Sequence, residues 1–174
     1  MKLFAKNIDE LKETIQNGEF LEVEKIAQDR NLPDEIRKDA GMKHIENSTE
    51  AGRWMNVLYI LGSRRFPEAV CMAAGKELIE EGKYLELLSS GERYPEKIRE
   101  GAGEKLIAKC KKEKNLKLLE RIAYRRGHPG KIRENAREAL DTMNAVRMRK
   151  AALRNLENGG SGAMGARKAR TATA

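Results

Sequence analysis

The sequence predicts an all-α fold: a right-handed α-solenoid, or α-α superhelix, of about four helix pairs with an N-terminal capping helix. Four proline-led phrases recur along the chain at spacings of 34, 28 and 34 residues, a period that marks stacked supersecondary units. Apolar residues within each phrase follow steps of three and four, the spacing of one helix face. No segment has the two-residue alternation or the valine-rich runs of a strand.

The opening helix is predicted over residues 7–16, where Ile8, Leu11 and Ile15 share a face and Asn17-Gly18 supplies a stop. Helix pairs follow at 19–30 with 33–46, 51–64 with 67–81, 83–91 with 95–111, and 114–126 with a long helix from 130 onward. The second helix of each pair is announced by Pro33, Pro67, Pro95 or Pro129. Proline suits the first helical position, where a missing N–H loses no partner, and Asp34, Glu68 and Glu96 complement the positive end of the helix dipole. Three residues after the prolines stand Ile36, Val70, Ile98 and Ile132; seven after, Ala40, Ala74, Ala102 and Ala136; eleven after, His44, Leu78, Leu106 and Leu140. The first helix of each pair carries Val23, Val57, Leu85 and Leu119 ten residues before the proline, and Ile26, Ile60, Leu88 and Ile122 seven before it.

Leu32, Phe66, Tyr94 and His128 immediately precede the prolines, where helical geometry is disfavoured, and are expected to plug between helices. Gly41, Gly75 and Gly103 lie inside helices, eight residues after a proline, each at a cost of about 1 kcal/mol relative to alanine. That recurring cost points to close approach of neighbouring helices. Arg137 holds the equivalent place in the last pair, as fits a terminal unit.

The chain has 174 residues, 40% hydrophobic and 36% charged, so its core has to be narrow and striped. Residues 1–157 form the predicted helical domain. Residues 158–174, rich in Gly, Ala, Ser and Thr with Arg167, Lys168 and Arg170, are expected to be a disordered basic tail. The run over 159–165 also resembles a cloning linker, so the charge of the 158–174 tail carries no weight. No apolar run nears the roughly 20 residues of a membrane-spanning helix, and Lys6, Asp9 and Glu10 break up the start before a signal-peptide core can form. Cys71 and Cys110 offer neither a disulfide framework nor a metal-ligand spacing. A cytoplasmic protein without a cofactor and away from membranes is expected.

The phrase Ile-Arg-x-x-Ala-x-x-x-Leu, whole at 98–106 and 132–140, resembles the second helix of HEAT-like (armadillo-type) repeats, particularly the short bacterial and archaeal kind. The resemblance covers about residues 19–140. Cys71 replaces the arginine in the second phrase and His44 the leucine in the first. HEAT-like proteins are mostly scaffolds whose curved surfaces bind other macromolecules, and the resemblance implies that role here. It transfers no functional residue, because the shared positions are packing positions.

Charge is segregated along the chain. Residues 1–52 hold 8 basic and 12 acidic side chains (net −4), 53–140 hold 20 and 13 (+7), and 141–174 hold 7 and 2 (+5). Such a basic half attracts polyanions or acidic partners. Its densest part supplies the candidate anion- or partner-binding residues Lys109, Lys111, Lys112, Lys114, Lys117, Arg121, Arg125 and Arg126. Register supplies two candidate arginine rows: Arg37, Arg99 and Arg133 four residues after a proline, and Arg30, Arg64 and Arg126 three before one. Each row either hydrogen-bonds loops and neighbouring carboxylates or forms part of a cationic strip. Beyond the fourth pair, Met143, Val146, Leu153 and Leu156 space out as a terminal helix, with Arg147, Lys150 and Arg154 expected on a polar face that shields the end of the stack.

Catalytic constellations are missing from the sequence. His44 falls on an apolar face, His128 in a plug position, and neither has a nucleophile spaced beside it. Gly160, Gly162 and Gly165 match a dinucleotide fingerprint without its strand and helix. Trp54 is expected in the core or as a plug, and aromatic poverty disfavours single-strand stacking. The expected function is therefore a non-enzymatic interaction scaffold for a protein partner with an acidic segment, with no small-molecule substrate. The alternative is a nucleic-acid-binding solenoid that grips phosphates through the basic C-terminal half.

Overall fold

The prolines set where helices begin: after Pro33, Pro67 and Pro95 the helix starts one residue later than the sequence predicts, and after Pro129 it starts at Gly130 as predicted. In the computed structural model, which describes the backbone of residues 7–165 and the side chains of 7–157, Pro33 and Pro67 are N-caps with extended ψ of 140° and 146°. Their carbonyls accept the first intrahelical bonds, from the Arg37 and Cys71 amides at 3.1 Å. Among the described residues the elements are α1 (Ile8–Asn17), α2 (Phe20–Gln28), α3 (Asp34–Glu50), α4 (Trp54–Gly62), α5 (Glu68–Glu80), α6 (Tyr84–Ser89), a 3₁₀ turn (Gly91–Arg93), α7 (Glu96–Glu113), α8 (Leu116–Tyr124) and α9 (Gly130–Gly165), with no strand. The fold is all-α.

Contacts divide the chain into two compact units, Met1–Leu106 with Arg126–Pro129 and Ile107–Arg125 with Gly130–Ala174. In the first, α2 packs on α3 and α4 on α5, α3 also touches α4 and α5, and α1 lies against α2 and α3. Its core is built from the expected stripes, among them Val23, Ile26, Val57, Ile60, Val70 and Ala74, all fully buried. Three of the four expected plugs are buried (Phe66, Tyr94 and His128), and Leu32 is half-buried. In the second unit α8 packs on α9 through Leu119, Ile122, Ile132 and Ala136.

Gly41 and Gly75 behave as their cost implies. A Cβ on Gly41 would lie 2.6 Å from both γ carbons of Val70, and one on Gly75 would lie 2.7 Å from Ile98. The glycine of one phrase thus receives the β-branched residue that stands three after the proline of the next.

One expectation fails locally. Leu85 is 49% exposed and Leu87 is buried instead, while Leu88 is buried as expected. The six-residue α6 stops at Ser89 and the 3₁₀ turn carries the chain to Pro95, so counting back from the proline leaves the helical lattice. Counted from the helix start instead, Leu87 stands three residues after Tyr84, as Val23 does after Phe20 and Val57 after Trp54. At the C-terminus, where a disordered tail is expected from 158, α9 runs through Gly165. An existing helix extends without a new nucleation cost. Residues 166–174 of that expected tail lie outside the described residues.

Candidate docking surface

Three helices that begin with a proline phrase end in related turns. After α3 and α5 the chain passes through Gly52 (φ 64°) and Gly82 (φ 74°), with the Arg53 amide bonding back to the Ser48 carbonyl (2.7 Å) and the Lys83 amide to that of Leu78 (2.9 Å). This is the pattern in which a left-handed residue closes a helix. After α7 the Asn115 amide returns to the Cys110 carbonyl (2.9 Å), but the left-handed residue is Lys114, at φ 56°. A side chain there costs roughly 1–2 kcal/mol that glycine would not. Asn115 then caps α8, its side chain accepting from the Leu118 amide at 3.1 Å.

Lys114 borders a groove of about 630 Å³ whose far wall is α9. Over its first turns α9 buries Ile132, Ala136 and Ala139. Steps of three and four carry the same face on to Met143, Val146, Lys150 and Arg154. There the nine-residue α8 no longer covers it, and Val146 is 48% exposed. Leu116, Met143, Val146 and Ala151 supply the apolar lining; among the described residues Lys111, Lys114, Arg147, Lys150 and Arg154 supply five cations, and no carboxylate lines the groove. None of the five is held in a salt bridge among the described residues.

Of the eight basic candidates, the structure brings Lys111 and Lys114 into this groove. Lys109, Lys112, Lys117, Arg121, Arg125 and Arg126 are exposed but do not line it. Arg147, Lys150 and Arg154, expected on a separate polar face, share the groove with Met143 and Val146. The signal for this lay in the unbroken spacing from Ile132 to Arg154.

The arginine rows do different work. Arg37, 9% exposed, donates to the Arg65 carbonyl at 2.8 Å and pairs with Asp34 at 2.7 Å. Arg99, 7% exposed, donates to the carbonyls of Tyr94 (3.2 Å) and Gly127 (3.4 Å). Both reach from four residues after one proline to the carbonyl two residues before the next. Arg30 likewise donates to the Arg64 carbonyl at 3.1 Å. Arg64 itself is exposed, and Arg133 is half-buried with its Nε unpartnered. Cys71 replaces the arginine in the second phrase and donates its thiol to the Ile60 carbonyl at 3.4 Å. A feature that sequence reasoning missed is a pair of cation–π contacts, Arg53 over Phe20 (5.3 Å) and Lys83 over Trp54 (5.6 Å). In both, the residue before one first helix covers the ring that opens the preceding one, and Trp54 is half-buried and packed against the core.

Comparison with known proteins returns no match: no family model, no curated protein and no solved structure aligns significantly with the chain.

The remaining polar candidates are enclosed. His44 is 1% exposed, with its ring 4.2 Å from that of Phe20, and burial pushes its imidazole below the usual value against a weaker upward pull from Glu24. Burial pushes the thiols of Cys71 and Cys110 up, which leaves less of the reactive thiolate. No cluster of His, Cys, Asp and Glu able to hold a metal occurs among the described residues, and no helix there is long and apolar enough to cross a membrane.

Proposed function

We propose that this chain is a short right-handed α-solenoid of HEAT-like character that acts as a non-enzymatic docking scaffold, binding an acidic segment of a protein partner. The groove beside α9 carries the reading: five cations around an apolar lining with no carboxylate among them. Anions supply the charge such a surface lacks, and apolar side chains supply the contact that a bare phosphate backbone does not. The recurring glycine-to-valine or isoleucine contacts and arginine-to-carbonyl bonds support the solenoid, because they join successive phrases at constant offsets. They also support a packing role for Arg37 and Arg99.

The test is fluorescence anisotropy of the full chain with a labelled acidic peptide and with single- and double-stranded oligonucleotides, at low and near-physiological salt. Peptide binding that persists near 150 mM salt and is lost in Lys111→Glu/Lys114→Glu is the expected result. Oligonucleotide binding that is the tighter of the two, with a steep salt slope, would favour phosphate gripping instead.

A further inference from the structure

Resting on the docking reading above, we infer that the groove's occupant is an amphipathic α-helix with carboxylates flanking its apolar stripe. The receiving surface is itself one helix face, continuous with the face that α9 buries against α8. The covered part carries Ile132, Ala136 and Ala139, and the uncovered part carries Met143, Val146, Lys150 and Arg154. Helices pack on such a face by setting their own i, i+3 and i+4 rows between its side chains. An incoming helix places apolar residues against Leu116, Met143 and Val146. Its flanking carboxylates meet Arg147, Lys150 and Arg154 on one side and Lys111 and Lys114 on the other. An extended acidic strand matches this geometry less well, because its side chains alternate in direction and do not follow the step of α9.

Charge excludes a second copy that meets this face with its own α9, because Arg147, Lys150 and Arg154 would stand against their equivalents. Lys114 points the same way, since its backbone takes a conformation that Gly52 and Gly82 fill in the related turns, so a cation is held at the rim at a cost to stability.

The experiment titrates the full chain with three labelled probes: a designed peptide of about 18 residues with leucines at helical spacing flanked by glutamates, a permuted peptide of identical composition, and a single-stranded oligonucleotide. The amphipathic peptide is expected to bind at least about tenfold tighter than the permuted one and to gain helical circular dichroism on binding. Val146→Ser, at an exposed site, should weaken it. Arg147→Glu/Arg154→Glu should abolish its binding and bind a lysine-flanked version of the peptide instead, which a misfolded variant would not do. Equal binding of the two acidic peptides would overturn the helical occupant and leave the acidic-segment reading standing. Binding of neither peptide would overturn both, as would tighter binding of the oligonucleotide near physiological salt.

Discussion

His44 occupies the place that Leu78 and Leu106 fill in the second and third phrases, and its Nδ1 is buried with no hydrogen-bond partner. A neutral imidazole is tolerated between Phe20 and Phe66, whose ring lies 6.1 Å away; an imidazolium is disfavoured there. Because burial lowers the folded value, the unfolded chain takes up this proton first. Stability is therefore full above about pH 6.5 and falls as the pH drops below it, by at most about 1.4 kcal/mol per unit until the folded imidazole also protonates. His44→Leu should remove that dependence, so urea melts at pH 7.5 and pH 5 should differ less for the variant than for the parent chain. An unchanged difference would place the acid sensitivity elsewhere. Lys114→Gly makes a second test at this scale. Relief of the left-handed backbone should stabilise the chain by about 1 kcal/mol, while loss of one rim cation weakens acidic-peptide binding, measured by thermal melts and anisotropy on the same preparation.

At the scale of the element, the junctions between helices rest on contacts that recur at fixed offsets. Gly41→Ala gains helix propensity of about 1 kcal/mol but drives a methyl into Val70, whose branched side chain has little rotamer freedom to yield. The clash should win, with a net loss of about 1–3 kcal/mol. In the double mutant with Val70→Ala the loss should be smaller than the sum of the single losses, as chemical denaturation in a double-mutant cycle would report. Arg99→Met should cost about 1.5–3 kcal/mol by stripping the Tyr94 and Gly127 carbonyls of their donor while leaving peptide affinity unchanged; a matching loss of affinity would return the arginine to a binding role. The helix starts and stripes were legible in the sequence because proline geometry, dipole complementarity and face periodicity are local. Leu85 was misplaced because α6 is short and the 3₁₀ turn breaks the count to Pro95. The cation–π pairs escaped notice because each joins residues some 30 positions apart, Arg53 with Phe20 and Lys83 with Trp54. The groove was half legible: basic density marked Lys111 and Lys114, but only the mismatch in length between α8 and α9 decides where a buried stripe becomes an open one.

For the whole molecule, the decisive property is that one face of α9 passes from core to open surface without a break in spacing. Opening the helix at residues 132–140 exposes Ile132, Ala136 and Ala139, whereas opening it at 146–157 exposes side chains that already meet solvent. Amide exchange in the free chain should therefore be slow over 132–140 and faster by about a hundredfold or more over 146–157, since local opening follows the packing that it disrupts. Adding the amphipathic acidic peptide should raise protection over 143–157 by at least about tenfold at low salt. Part of that gain should fade as rising salt shortens the screening length below about 8 Å, and the remainder should persist, because contacts with Met143 and Val146 are not screened. A gain that vanishes altogether in high salt would reduce the groove to a counterion surface. Uniform slow exchange from 132 to 157 in the free chain would mean that the face is already covered and has no vacancy for a partner.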